Sequence, residues 1–200
     1  GASQTFAFTL TPPENDDEAF IQPVFQDGEE QFSKEVNVIS YDHIPQQTVM
    51  LPAKTKVIKL NIQKKGNKIA YIQGAGDVVP ESLRAIGYDV ELLKPSEITT
   101  AKLQDFDAVV VGIRAYNTQD ELAFKQETLF DYVKNGGTMV VQYNKHRGLI
   151  TENIAPYPLR LSYDRVTDEF SKVNFLAKDH PVLNTPNKIT KKDFEGWVQE

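Results

Sequence analysis

Residues 106–117 read Phe-Asp-Ala-Val-Val-Val-Gly-Ile-Arg-Ala-Tyr-Asn. Ala108–Val111 is apolar and β-branched without polar alternation, the composition of a strand covered on both faces. Such strands belong to parallel sheets interleaved with helices, and the sequence on either side keeps that rhythm. Upstream, Lys68–Gln73 is a short apolar strand followed by the turn Gly74-Ala-Gly-Asp77. Val78–Ile86 then reads as a helix that Asp77 can cap, with Pro80 tolerated in its first turn and Gly87 as a left-handed stop. Tyr88–Leu93 is the next strand, and a short helix after Ser96 leads into Phe106–Val111.

Downstream, Thr118-Gln-Asp-Glu121 has the form of a capping box, and Leu122, Leu129, Phe130 and Val133 recur at helical spacing until Gly136. Thr138–Tyr143 supplies the fourth strand. The expected architecture is α/β: four parallel strands in the order 2-1-3-4, right-handed crossovers, and helices on both faces. Beyond Asn144 the alternation stops, with Leu159–Tyr163 reading as a strand and Arg165–Lys172 as part helix.

Residues 1–63 differ in kind. Thr5–Leu10, Ile21–Phe25, Val36–Ile39 and Lys56–Ile62 are short, β-branched or aromatic, and separated by Pro, Asp and Gly. They predict a smaller β-rich segment, the end of a β-sandwich, with Tyr41-Asp-His-Ile-Pro45 as an ordered linker. The α/β domain then spans 64–200. The chain opens on Gly1-Ala-Ser, where Gly1 reads as a processing scar, and closes on Trp197-Val-Gln-Glu200 within a continuing pattern. Both ends are expected of a piece of a longer protein.

The 200 residues carry 40% hydrophobic and 25% charged side chains, enough apolar material for a sizeable core. Apolar runs such as Ala108–Val111 are far shorter than the roughly 20 residues of a membrane helix, so no membrane insertion is expected. A net charge of -6 gives no electrostatic reason for a nucleic acid partner. That charge is uneven, because residues 1–35 hold eight acids against Lys34 alone. The chain has no cysteine, which excludes thiol nucleophiles, disulfides and cysteine-zinc sites.

In open α/β sheets ligands bind at the carboxyl ends of strands, near the point where strand order reverses. The loops there carry the candidate binding residues: Gly74, Gly76 and Asp77; Arg114, Tyr116 and Asn117; Gln142, Tyr143 and Asn144. Gly74–Asp77 has half of a dinucleotide fingerprint without its third glycine, and Asp77 stands where a phosphate would, so a helix cap explains it better than a ligand contact. A polar Arg, Tyr and Asn immediately after a buried strand have no packing reason to be there. They either satisfy one another or face a ligand. Arg165, Asp168 and Glu169 form a charged string of weaker candidates. No Gly-x-Ser-x-Gly elbow occurs, and His43, His146 and His180 lack metal-ligand spacing. No catalytic residue, metal ligand or cofactor motif is assigned.

Ile72-Gln-Gly-Ala-Gly-Asp77, Phe106–Asn117, Gly137-Thr-Met-Val-Val-Gln-Tyr-Asn144, Arg165-Val-Thr-Asp-Glu169, His180-Pro-Val-Leu-Asn184 and Asp193-Phe-Glu-Gly-Trp-Val-Gln-Glu200 together resemble the C-terminal region of large bacterial PIG-L (LmbE-like) family deacetylases. The resemblance implies a flavodoxin-like, class I glutamine amidotransferase-like domain appended to a zinc-dependent sugar N-deacetylase, in a periplasmic or secreted parent. The family's zinc motif, an Ala-His-Pro-Asp-Asp type string, is absent from this sequence, so no deacetylase residue carries over. The amidotransferase cysteine is absent too. Tyr143 is the nearest group, and a phenol with an ordinary pKa near 10 is a poor nucleophile. The function this implies is a non-catalytic accessory or ligand-binding domain whose partners are upstream domains of the same polypeptide and a sugar-related small molecule. The alternatives are a degenerate hydrolase with Asp168 or Glu169 as base and Arg114 as electrophile, or a structural spacer.

Overall fold

The computed structural model describes residues 4–15 and 17–196. Gly1 and Trp197–Glu200, on which the readings of the two ends rest, lie outside the described residues. The chain divides into two compact units, Gly1–Ile62 and Gln63–Glu200.

The first unit is β-rich, with β1 (Asp17–Ile21), β2 (Phe25–Asp27), β3 (Glu30–Phe32), β4 (Lys34–Tyr41), β5 (Ile44–Pro52) and β6 (Thr55–Lys59). They form three antiparallel pairs, β1 with β6, β2 with β3 and β4 with β5. The β4–β5 hairpin corrects the sequence reading of Tyr41–Pro45: the segment is a turn, and Tyr41 pairs with Ile44 across it. Thr5–Leu10 is not a strand. Its apolar residues are exposed and no ladder runs beside it among the described residues, and an isolated strand has nothing to bond its backbone.

The second unit is built on β7 (Lys68–Ile72), β8 (Asp89–Leu93), β9 (Ala108–Val111) and β10 (Thr138–Val141). All are parallel, in the order β10-β9-β7-β8, which is the order read from the sequence. Side chains alternate between two faces. Ala70, Ile72, Val109 and Val111 meet Leu103 of α2 (Thr100–Leu103), Leu122, and Leu129 of α4 (Gln126–Lys134) on one face. Ile69, Tyr71, Val90 and Val110 meet Val79 and Leu83 of α1 (Val79–Ala85) on the other. Each fully buried leucine contributes about 1.5–3 kcal/mol by leaving water. Right-handed crossovers account for the division, because the path reverses direction after β8. At the amino end of the sheet, the Asp107 carboxylate accepts from the Asn67 and Lys68 amides at 2.7 and 2.9 Å, which hold it below the usual carboxylate range.

Two helix boundaries differ from the sequence reading. Thr118 does not cap a long helix; it ends the single turn α3 (Ala115–Thr118), and its hydroxyl donates to the Arg114 carbonyl at 3.0 Å. The residues that start the next two helical segments are Gln119 and Lys125, neither of which makes a side-chain cap bond. Asp120–Phe124 then tightens into a 3-10 turn that carries Leu122 inward, and α4 starts only at Gln126. After Asn144 the described chain forms neither strand nor α-helix, so Leu159–Tyr163 and Arg165–Lys172 are corrected to irregular backbone. Asp168 closes a local turn by accepting from the Phe170 amide at 3.0 Å. Val166 and Phe170 stay exposed, leaving no apolar face to hold a helix. Leu149, Ile150 and Leu161 nonetheless pack against the sheet. Among the described residues no helix is long and apolar enough to cross a membrane.

Candidate functional site

Because β9 lies between β7 and β10, the loops that leave these three strands stand side by side. They are stitched together by their backbones. The Ala75 amide donates to the Ile113 carbonyl at 2.9 Å, Gly112 to Ile72 at 2.8 Å, and Arg114 to Tyr143 at 2.7 Å. Gly74 allows the approach, since a β-carbon there would collide with the Ile113 carbonyl oxygen and lie 2.6 Å from the Ala115 nitrogen.

The side chains reinforce the stitching. Buried Asn144 accepts from the Tyr116 amide at 3.1 Å and donates to the Gln142 carbonyl at 2.8 Å. Asn117 accepts from the Lys145 amide at 2.8 Å and donates to the Lys145 and Arg147 carbonyls at 3.0 and 3.2 Å. Gln119 reaches back to the Gln73 carbonyl at 3.0 Å. Tyr116 is fully buried, and its phenol lies 3.3 Å from the Gln126 side-chain oxygen; burial pushes that phenol up from its ordinary pKa.

Asp77, expected to cap the helix, stands one residue before its N-cap, Val78, which has no side-chain cap bond. Asp77 accepts from the Val79 amide at 2.9 Å, and the Tyr71 hydroxyl donates to it with both carboxylate oxygens at 2.7 Å. The Ile113 amide approaches the same carboxylate at 3.4 Å. Gln142 in turn donates to the Tyr71 oxygen at 3.0 Å. This chain of bonds links the ends of β7 and β10 beneath the loops. Burial first, and the Asp77 carboxylate second, raise the Tyr71 phenol well above its ordinary pKa. The phenol is therefore a fixed neutral donor at neutral pH.

Arg114 stands apart from this mutual satisfaction. Its backbone is left-handed, at φ 57°, and its Nε is buried without a hydrogen-bond partner. Its guanidinium makes no hydrogen bond or ion pair with any described residue. A cavity of about 490 Å³ opens along β10, bounded by Gln142, Tyr143 and Asn144 at the strand end and by Ile154, Leu159 and Leu161 from the following segment; Arg114 is not among the residues that line it. Tyr143 is 62% exposed and joins the site only through its carbonyl. A β-carbon at Gly76, where φ is 97°, would meet nothing within 4 Å.

The structure thus brings together Gly74, Asp77, Arg114, Tyr116, Asn117, Gln142 and Asn144. Arg165, Asp168 and Glu169 are exposed and are not bonded to the strand-end loops; Glu169 lines a separate cavity with Lys172 and Lys191. Sequence reasoning missed Tyr71, Gln119 and Gln126. Tyr71 had a signal, since a hydroxyl in the otherwise aliphatic Ile69–Ile72 run must find a partner when buried. Among the described residues no three His, Cys, Asp or Glu side chains group as metal ligands would. Chemically, the arrangement offers a cationic donor and a set of fixed dipoles, with the Tyr71 hydroxyl held against the Asp77 carboxylate. Comparison with protein-family models, curated proteins and solved structures gives no match.

Proposed function

We propose that this chain is a non-catalytic ligand-binding and accessory module of a PIG-L-type sugar N-deacetylase, its second unit being a flavodoxin-like, class I glutamine amidotransferase-like domain. The family resemblance of residues 72–77, 106–117 and 137–144 supports the parentage. The observation that carries the binding role is the contrast at the strand ends. The polar side chains of Asp77, Asn117, Gln142 and Asn144 are spent on neighbours, while the Arg114 guanidinium is left to an outside acceptor. Buried polar groups are ordinarily paired, so an unpaired one at this place marks a contact supplied from elsewhere.

Isothermal titration of the chain with glucosamine, with N-acetylglucosamine and with the deacetylase domain of the parent polypeptide tests the reading. Binding to at least one is expected, and Arg114→Ala should abolish it while leaving Tm essentially unchanged. Silence with all three, or binding indifferent to Arg114→Ala, overturns it.

A further inference from the structure

The segment that follows the sheet carries a second cavity, of about 520 Å³. Four aliphatic side chains line it: Leu149, Ile154, Leu159 and Leu161. The polar part of the wall is unusual in its charges. Glu152 and Arg160 stand at the same cavity with opposite charge, yet neither forms an ion pair or a side-chain hydrogen bond with a described residue. His146 also lines it, and its Nε2 is buried without a partner. Two exposed opposite charges without a protein partner, one buried unmet ring nitrogen and an aliphatic floor match a ligand with two charges of its own and an apolar body.

We infer that this cavity binds a small zwitterion of the α-amino-acid type with an aliphatic side chain. Arg160 takes the carboxylate, Glu152 takes the ammonium, and the side chain lies among the four aliphatic residues. Polar atoms of the ligand also offer the partner that His146 Nε2 lacks. A sugar fits less well, because sugar rings lie against open aromatic faces. The one aromatic ring beside His146 here, Tyr163, is already engaged, with the His146 ring centroid at 3.7 Å and the Arg147 guanidinium at 5.5 Å. The inference is independent of Arg114 and of the proposed function.

Titration of the full chain with L-leucine is the direct test. Binding is expected, and two analogues dissect it: N-acetyl-L-leucine, which lacks the ammonium, and L-leucinamide, which lacks the carboxylate. Each should bind at least about tenfold more weakly. Glu152→Gln and Arg160→Gln should each weaken L-leucine to a similar degree with Tm unchanged, since both side chains are solvent-exposed. Arg114→Ala should leave L-leucine binding intact, so failure here is distinguishable from failure at the strand ends. No binding of L-leucine up to about 10 mM, well above the roughly 1 mM of weak specific binding, overturns the inference. So does equal binding of the blocked analogues, or N-acetylglucosamine binding that Arg160→Gln removes.

Discussion

Arg114 sits in a backbone conformation that costs a residue with a β-carbon roughly 1–2 kcal/mol. The turn it makes is built from its own peptide groups: the amide donates to Tyr143, and the carbonyl accepts from the Asn117 amide and the Thr118 hydroxyl. A glycine would make the same turn with less strain, so nothing in the backbone calls for an arginine. Tyr71 is the opposite case, a side chain wholly used by its neighbours. Tyr71→Phe removes a donor from Asp77 and an acceptor from Gln142, and should lower the unfolding free energy by about 1–3 kcal/mol. Gln142→Leu added to it should cost less than it does alone, because the two side chains share one network. Urea denaturation of the two single variants and the double variant measures this; strictly additive losses would show that the network does not act as one.

At the scale of elements, the strand-end loops depend on one close approach. Gly74→Ala puts a methyl into the Ile113 carbonyl and should cost about 3 kcal/mol, at the upper end of overpacking. Gly76→Ala, two residues on, meets nothing and carries only the strain of its positive φ, about 1–2 kcal/mol. Chemical denaturation of both variants should rank them in that order, and the reverse ranking would mean that the loops are free to separate. The same elements show what a sequence displays and what it conceals. Ala108–Val111 announced a central strand because continuous apolarity has few other uses, and the strand order followed from the crossovers. Thr118 misled because a capping box and a hydroxyl bonded to the preceding carbonyl have the same sequence. The β4–β5 hairpin went unseen because Asp42-His43 carries no glycine to mark its turn. Asp77 was legible at the start of a helix, but its bond to Tyr71 depends on where a loop folds back, which no periodicity encodes.

Across the whole molecule, three of the eight tyrosines have phenols raised above their ordinary pKa, Tyr71, Tyr116 and Tyr132, each chiefly by burial. In the unfolded chain these phenols ionise near pH 10. Their folded pKa lies higher, so the stability they contribute is fully present below about pH 10 and is lost as pH rises toward the folded values. Alkaline titration followed by tyrosine absorbance should show that the Tyr71, Tyr116 and Tyr132 phenols are released only with loss of circular dichroism. Ionisation of all eight in one reversible step, with the fold intact, would contradict the buried assignments.

The strand order also bears on how the chain is made. β7 is the first strand of its sheet to be synthesised, yet it ends up inside it, paired with β8 on one side and β9 on the other. On a ribosome adding roughly 5–20 residues per second, one edge of Ile69–Ile72 waits a few seconds for Ala108–Val111 to emerge. The strand-end loops then wait longer, because the Arg114 and Tyr116 amides find their acceptors only at Tyr143 and Asn144. A nascent chain halted before β10 therefore holds an apolar strand with an open edge and a crevice without its third wall, the state in which a chaperone would find most to bind.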